Sequence, residues 1–248
     1  MQKVKTYDLP LRIFHWLFAI LFVTSFVIAK FIDDESALYA YHMISGMLMM
    51  ILVIMRIVWS FLGEKTSKFG SYKLKIQDLI QYLKSVLSGH SKRYLGHNPA
   101  SSYAAVLMFV FTTLLVTTGF FMIFRINKHF FEEVHELLAH AFLIIVILHI
   151  GGVWIHQLFH QDGMIFAMFS GRKNAVENEA AISSFRTWPA IVFLSIFSLS
   201  AIYLNTNFNA RSGVLSIMGK DLQLGEVEGN EMDHEKEGHN GFEEEDDD

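Results

Sequence analysis

Histidines within long apolar segments are the side chains of this sequence best suited to chemistry. His15 and His42 lie about one helical turn into the first two apolar segments, and His135 and His149 lie on the fourth. An ionisable group inside a membrane segment is costly, so a histidine there indicates a functional role. Two imidazoles can bind a haem iron from opposite faces of the porphyrin. We therefore expect these four histidines to be metal ligands.

The spacing of His135 and His149 places both on one face of a helix. Their separation is close to four whole turns, or about 21 Å along the axis at about 1.5 Å per residue. Because successive membrane segments run in opposite directions, His42 should lie at the depth of His135, and His15 at the depth of His149. The sequence thus predicts an outer pair, His42 with His135, and an inner pair, His15 with His149. A bis-imidazole iron has both axial positions filled, which suits electron transfer.

Two alternatives to this assignment remain open at the level of sequence. His156 lies on nearly the same face as His149, but as the inner ligand it would lie about 31 Å from His135. A divalent-metal transport site is the alternative to haem. The other histidines near these segments are interpreted as structural: His129, His140 and His160.

Small and basic residues near the histidines are candidate cofactor-binding residues. Gly46 follows His42 by about one turn, and Gly119 interrupts the third apolar segment. Both would leave room for a flat macrocycle, although close helix packing explains small residues equally well. Arg12 and Arg56 lie near the predicted inner edge, where they could pair with haem propionates or extend towards lipid headgroups.

The composition limits the classes of protein to which the chain can belong. With 52% hydrophobic residues and 23 phenylalanines in 248 residues, it is too apolar for an ordinary soluble domain. It contains no cysteine, which excludes disulfides, cysteine-ligated iron–sulfur clusters and covalent c-type haem. Any haem must therefore be bound noncovalently, as in b-type cytochromes. We expect membrane lipid, and no nucleic acid, as a partner.

The elements that must position the histidines are membrane helices. Four segments, 11–32, 38–62, 103–126 and 134–159, are long enough to cross a hydrocarbon core about 30 Å thick, and a shorter fifth covers 188–204. The predicted fold is an all-α membrane protein, a transmembrane four-helix haem-binding bundle with a fifth transmembrane helix. Its predicted parts are a dihaem cytochrome b domain (1–173), a linker (174–187), the fifth helix (188–204) and an acidic disordered tail (205–248).

Charge predicts how these helices lie in the membrane. The segments 1–12, 63–102 and 160–187 hold 13 Lys and Arg residues, whereas the connections 30–38 and 125–133 hold 3. The positive-inside rule therefore predicts a cytoplasmic N-terminus. With five spans, the tail, which has 13 acidic and 3 basic residues, lies on the periplasmic side. Apolar residues at helical spacing between Ile76 and Leu87 predict an amphipathic helix, either on the inner surface or packed on the loops.

Several motifs together make the chain resemble a known family. From about Tyr7 to Lys173 it resembles the bacterial cytochrome b561 and nickel-hydrogenase cytochrome b subunits, which are similar to the membrane subunit of formate dehydrogenase. The motifs are Asp8-Leu9-Pro10-Leu11-Arg12-Ile13-Phe14-His15-Trp16, His42 with Gly46, Arg56-Ile57-Val58-Trp59, Gly96-His97-Asn98-Pro99, His135-Glu136-Leu137-Leu138-Ala139, Leu148-His149 and Ser170-Gly171-Arg172-Lys173. The resemblance implies two b haems, ligated by histidines of the first, second and fourth helices.

The same resemblance implies a function in the bacterial inner membrane. It predicts electron transfer across that membrane between the quinone pool and a periplasmic c-type cytochrome or reductase. It also predicts that the protein binds a quinone. The acidic tail is either a solvated segment or a docking arm, and as a docking arm it would attract a basic cytochrome by long-range electrostatics. Two alternatives remain, a haem-bearing anchor subunit of a hydrogenase or dehydrogenase, and a metal-ion transporter.

Overall fold

The computed structural model describes residues 2–224, which form seven α-helices and two small antiparallel sheets. The helices are α1 (Leu9–Phe31), α2 (Ala40–Leu62), α3 (Ile76–Leu87), α4 (Pro99–Ile123), α5 (Lys128–His160), α6 (Met164–Ser170) and α7 (Thr187–Thr206). The strands are β1 (Lys3–Lys5), β2 (Arg172–Asn174), β3 (Phe208–Asn209), β4 (Val214–Ile217) and β5 (Lys220–Gln223). Helices α1, α2, α4, α5 and α7 are long and apolar enough to cross a membrane. The predicted all-α membrane fold is thereby confirmed.

Helix α2 lies at the centre of the bundle. More than half of the most apolar stretch of α2 is buried. In each of the other four spans, at most about a sixth of the corresponding stretch is buried. It packs against α1, α4 and α7, and α4 in turn packs along α5. Each span leaves large apolar side chains exposed, for example Ile20, Ile54, Leu114, Ile144 and Leu199. An apolar exterior around hydrogen-bonded helices is the arrangement that a lipid environment requires.

Polar caps and prolines fix where two of the spans begin. Asp8 accepts a hydrogen bond from the backbone N–H of Leu11 at 3.1 Å, and Asn98 accepts one from Ser101 at 2.7 Å. Each cap is followed closely by a proline in the first turn, where no N–H is needed. Helix α4 therefore begins at Pro99, before the apolar stretch predicted from residue 103. Helix α5 likewise begins before its predicted start at 134, because polar residues continue the helix beyond its apolar part.

The buried carboxylate of Asp8 joins the start of α1 to the end of α2. It accepts hydrogen bonds from Trp59 Nε1 and the backbone N–H of Glu64, both at 3.2 Å, and from Ser67 Oγ at 2.8 Å. Strand β1 pairs with β2, which joins the N-terminal segment to the chain after α6. We call this end of the bundle, with residues 2–8, 63–98 and 161–186, the basic end.

The opposite end carries a second sheet where the sequence predicts a disordered tail. Strands β3, β4 and β5 lie within the predicted tail 205–248 and form an antiparallel sheet. Leu215 on β4 is completely buried in the main core, and Phe208 packs against Tyr41 at the start of α2. Met218 and Gly219 have positive φ angles of 50° and 77°, as a two-residue hairpin turn requires. We call this end, with residues 32–39, 124–127 and 207–224, the tail end; residues 225–248, also predicted to be disordered, lie outside the described residues.

Helix α3, the predicted amphipathic helix, both packs on the bundle and keeps an exposed apolar face. It packs against the start of α4, and Tyr82 is its buried side chain. Ile80, Leu83 and Leu87 on the same helix remain exposed. A protein-facing tyrosine beside exposed apolar residues suits a helix that lies at the membrane surface and contacts the bundle.

Candidate functional site

The structure brings His42 of α2 and His135 of α5 together near the tail end. Their ring centroids lie 6.1 Å apart, and the ring planes make an angle of 68°. Half of this separation is about 3 Å, which accommodates a metal–imidazole bond of about 2 Å and the distance from the nitrogen to the ring centre. Both side chains are half-buried. This geometry fits two axial ligands of one iron.

The ring of His42 is oriented by a serine of α1. Its Nδ1 lies 2.9 Å from the backbone oxygen of Ser25 and 2.9 Å from Oγ of the same residue. A carbonyl oxygen can only accept, so Nδ1 carries the proton in this hydrogen bond. The other nitrogen, Nε2, is then the unprotonated one, with a lone pair for a metal.

A threonine of α4 orients His135 in the same way. Thr118 Oγ1 lies 2.8 Å from Nδ1 of His135 and donates its own hydrogen to the backbone oxygens of Leu114 or Leu115. Because a hydroxyl has a single hydrogen, it accepts from His135, and Nε2 again keeps its lone pair. A hydrogen bond to the ring nitrogen that faces away from the metal typically fixes the orientation of a ligating histidine. Sequence analysis missed Ser25 and Thr118, since serine and threonine are common in membrane helices and carry no spacing signal.

The two candidate glycines lie at this pair. A Cβ on Gly119 would lie 4.0 Å from Cε1 of His135, so the glycine backbone passes beside the ring. A Cβ on Gly46, about one turn after His42, would meet nothing within 4 Å. At these two positions the backbone therefore carries no side chain that would obstruct a flat group beside the histidines.

His15 and His149 form the second pair, nearer the basic end. They lie close enough to interact electrostatically, and both rings are half-buried. Within residues 2–224 neither ring has a hydrogen-bond partner, so each has a nitrogen free to bind a metal. Trp16, next to His15, donates a hydrogen bond to the backbone oxygen of Met168 at 3.2 Å and packs against Phe169. Helix α6 therefore closes one side of this site.

The candidate arginines at the basic end are held by protein contacts. Arg56 is only 1% exposed and donates hydrogen bonds to Ser60 Oγ and to the hydroxyl of Tyr72. This burial excludes the alternative that Arg56 extends to lipid headgroups. Arg12 donates to the backbone oxygen of Phe169 at 2.7 Å, while its Nε is shielded from solvent and lacks a partner. Both guanidiniums lie at the end of the bundle that holds His15 and His149.

His156, the alternative inner ligand, is occupied by protein partners. Its Nε2 lies 3.2 Å from the carboxylate of Asp162, and its Nδ1 lies 3.4 Å from the hydroxyl of Tyr82. With both nitrogens engaged and the residue 2% exposed, His156 is not available to an iron. This arrangement supports His149 as the ligand at the basic end.

His97, from the Gly96-His97-Asn98-Pro99 motif, lies near the basic-end pair. Its ring centroid is 4.8 Å from that of Tyr72, and its Nδ1 is shielded from solvent without a partner. Burial, together with the nearby Arg56, Lys173 and His149, lowers the pKa of His97 to about 3. A neutral imidazole therefore lies beside the site, where the sequence predicts only a turn and a helix start.

A layer of phenylalanines separates the two histidine pairs. Phe142 is 2% exposed and lies midway between His135 and His149 on the same face of α5. Its ring contacts those of Phe18, Phe22 and Phe111, at centroid distances of 6.5, 5.1 and 6.5 Å. The two candidate metal positions are thus divided by packed apolar rings.

Each candidate metal position brings together two histidine side chains. Among residues 2–224 no group of three or more histidine, aspartate, glutamate or cysteine side chains could hold a metal ion. An iron in a porphyrin already has four nitrogen ligands and requires only two axial ones. Each histidine pair contains that number of imidazole side chains.

Comparison with known proteins identifies similar sequences. The family described as prokaryotic cytochrome b561 matches residues 6–171. A protein of Rhizobium leguminosarum bv. viciae, named "Probable Ni/Fe-hydrogenase B-type cytochrome subunit", is 26% identical over 215 residues, which cover 69% of this chain and 89% of that protein. A protein of Rhodobacter capsulatus with the same name is 24% identical over 218 residues, which cover 69% of this chain and 81% of that protein. No solved structure matches the chain.

Proposed function

Because this chain belongs to the prokaryotic cytochrome b561 family, we propose that it binds two b haems and carries electrons between the quinone pool and a periplasmic redox partner. Family membership shows that the chain is a membrane-integral b-type cytochrome that transfers electrons. The proposal adds the ligands, the number of haems and the two reaction partners.

The arrangement of His42 and His135 is the observation that carries the proposal. Both Nδ1 atoms are hydrogen-bonded, to Ser25 and Thr118, so both Nε2 atoms keep a lone pair. His15 and His149 form the second ligand pair. Bound haem supplies a one-electron couple between ferric and ferrous iron. The protein holds the ligands, excludes water with apolar rings and directs Arg12 and Arg56 towards the end where the propionates of the second haem would lie.

The proposed orientation places the basic end in the cytoplasm of the bacterial inner membrane. Most Lys and Arg residues of the connections lie at that end, as the positive-inside rule requires. In this proposed orientation, the five candidate spans would put the tail end, with the β3–β5 sheet and the acidic residues that follow it, on the periplasmic side. A c-type cytochrome with a basic face would be attracted to that charge.

A second candidate function is favoured by the relatives. The proteins of Rhizobium leguminosarum and Rhodobacter capsulatus are named as hydrogenase cytochrome subunits. By this analogy, the chain would be the haem-bearing anchor of a hydrogenase or another dehydrogenase. Isolation of the chain from native membranes distinguishes the two functions, because an anchor copurifies with a large metalloenzyme, whereas an independent cytochrome does not.

The reduced-minus-oxidised absorption spectrum, with haem quantified per chain, tests the proposal. We expect two low-spin b haems in the purified protein. His42→Ala and His135→Ala should each remove one haem, and His15→Ala and His149→Ala should each remove the other. His140→Ala is the matched control, since His140 lies on α5 but is exposed and bonded only to a backbone oxygen. Full occupancy of both haems in any of the four variants would exclude that residue as a ligand.

A further inference from the structure

An apolar groove on the outside of the bundle runs between α1, α6 and α7 at the basic end. Helix α1 contributes Leu9, Arg12, Ile13 and Leu17, α6 contributes Phe169, and α7 contributes Leu194. Phe169 and Leu194 are 61% and 44% exposed, so the groove is open to the membrane. From Leu9 to Leu17 it follows α1 for about 12 Å, at about 1.5 Å per residue. This length approaches the thickness of one leaflet, half of a hydrocarbon core of about 30 Å.

The groove lies largely on the side of α1 that faces away from the proposed haem ligand. Ile13 and Leu17 are each two positions from His15, and two residues turn a helix through about 200°. Neither His15 nor His149 is among the residues that line the groove, and α7 contains no histidine. The groove is therefore separate from the basic-end haem position.

Three cationic side chains meet at one aromatic ring beside the groove. Nζ of Lys5, Cζ of Arg12 and Cζ of Arg172 lie 5.4, 5.5 and 5.7 Å from the centre of the Phe185 ring. Arg12 also lines the groove, so this cluster adjoins it. Within residues 2–224, none of the three cations forms an ion pair with a carboxylate. Like charges held together without a counter-ion attract an anion.

The surrounding backbone holds the cationic cluster in place. Arg12 donates a hydrogen bond to the backbone oxygen of Phe169 at 2.7 Å, and Lys5 lies opposite Arg172 in the pairing of β1 with β2. Gly171, between α6 and β2, has a φ of 72°, and a Cβ there would lie 3.0 Å from Nη1 of Arg12. Glycine therefore allows the guanidinium to pack against this turn. Nε of Arg12 has no partner and remains an unused donor.

The cluster lies at the level where lipid headgroups meet hydrocarbon. Helix α1 begins at Leu9 and α7 begins at Thr187, so both spans start close to the cluster in the sequence. Trp188, in the first turn of α7, is 73% exposed, and tryptophan is enriched at this boundary of a membrane. A cationic cluster at the headgroup level, next to an apolar groove, matches the two parts of an anionic lipid.

We propose that this groove binds one anionic phospholipid from the leaflet at the basic end. The negatively charged headgroup lies beside Lys5, Arg12 and Arg172. One acyl chain follows the groove past Ile13 and Leu194 towards the membrane interior. The lipid thereby joins α7 to α1 and α6, and its binding depends neither on the number of haems nor on the redox partner.

Native mass spectrometry of the full-length, haem-loaded protein in detergent counts the bound lipids and measures their affinity. Phosphatidylglycerol and phosphatidylcholine with identical acyl chains are the probes. We expect the protein to retain one phosphatidylglycerol, bound about 10-fold more tightly than phosphatidylcholine, because only the former has a net negative charge.

Two double variants test the cationic cluster. Lys5→Gln combined with Arg172→Gln should weaken phosphatidylglycerol binding about 10-fold, since each cation near a membrane surface contributes to the attraction. Lys75→Gln combined with Lys84→Gln removes the same charge from exposed positions at the same end and should have little effect. Arg12 stays intact in both, because it is also a candidate partner of a haem propionate. Haem content should therefore remain that of the wild type.

A further pair of variants tests the apolar part of the groove. Leu194→Trp fills it and should weaken phosphatidylglycerol binding about 4-fold or more, the effect of displacing one methylene group. Leu199→Trp, at an exposed position of α7 outside the groove, is the control.

Four outcomes would refute the lipid site. They are equal retention of the two lipids by the wild type, no larger loss in the Lys5 and Arg172 variant than in its control, and unchanged binding in Leu194→Trp. The fourth is displacement of the lipid by millimolar inorganic phosphate, which would show that the cations recognise a free phosphate.

Discussion

Thr118 lies 2.8 Å from His135 and accepts the hydrogen of its Nδ1, because the threonine hydroxyl already donates to its own helix. The threonine therefore selects the form of the imidazole that can bind a metal. Ser25 does the same for His42 through a backbone oxygen. The two contacts come from different helices, so the geometry of this pair depends on the packing of the whole bundle.

Loss of the Thr118 hydroxyl should weaken haem binding at the tail end. In Thr118→Val the ring of His135 loses its hydrogen-bond acceptor. Haem affinity should therefore fall about 10- to 100-fold, the usual effect of removing the hydrogen-bond partner of a ligating histidine. Haem titration of the apoprotein, followed by absorption, measures this change. Thr117→Val is the control, because Thr117 is exposed and bonds only to Thr113. An equal loss in both variants would contradict the role of Thr118.

The size of the residue at position 46 should control occupancy of the same site. A Cβ at Gly46 meets no atom within 4 Å, so Gly46→Ala should keep both haems. Gly46→Leu would fill the space beside His42 and should lower the haem content towards one per chain. Haem quantification of the two variants measures this occupancy. Two haems in Gly46→Leu would show that this space is not used by the cofactor.

Asp8 should contribute strongly to stability although it lies far from the tail-end pair. Asp8→Ala leaves the buried Nε1 of Trp59, the N–H of Glu64 and the hydroxyl of Ser67 without their acceptor, at a cost of about 1–3 kcal/mol per unsatisfied group. Thermal unfolding in detergent should therefore occur at a clearly lower temperature. Asp33→Ala removes an exposed carboxylate that bonds to Glu35 and should have little effect. A similar small change for Asp8→Ala would refute the interpretation.

Acid should weaken the contact between the segment that follows α2 and the segment that precedes α7. Burial raises the pKa of Glu64, but hydrogen bonds from Arg186 and Ser183 lower it more, and the net shift is downward from 4.5. The stabilisation is therefore present above about 4.5 and is lost as the pH falls through the lower, folded-state value. Unfolding temperatures measured from pH 7 to well below pH 4 should fall less steeply in Glu64→Gln than in the wild type. Glu133→Gln, which removes an exposed partner of His129, should keep the wild-type slope.

The acidic residues beyond the β3–β5 sheet should accelerate association with a basic redox partner. Residues 225–248 carry 12 acidic residues and 1 basic residue. A chain that ends at residue 224 should associate more slowly with a basic c-type cytochrome, and its rate should depend less on salt. Stopped-flow measurements at several ionic strengths test this expectation. A variant with the same residues replaced by neutral ones controls for chain length; equal salt dependence in all three proteins would exclude this docking role.

The spans and the histidine pairs could be predicted because each depends on a simple feature of the sequence, the length of an apolar run or the spacing of two residues. A run of about 20 apolar residues identifies a membrane helix, and the spacing of His135 and His149 fixes a common face. The partners of those histidines could not be predicted, because the rotation of each helix decides which serine or threonine faces the ring. The contact of Asp162 with Lys173 and the sheet around Leu215 likewise depend on packing. No local pattern reports which distant segment will cover a buried group.

The apolar layer around Phe142 has a consequence for the energetics of the membrane. In the two-haem proposal, the layer lets an electron tunnel between the pairs but offers no polar groups to a proton or a hydrated ion. Charge that crosses this layer therefore works with or against the membrane voltage, at about 2.3 kcal/mol per elementary charge for each 100 mV over the full thickness. Electrons and protons that enter from opposite sides would make the reaction electrogenic, so that the voltage sets how far it proceeds.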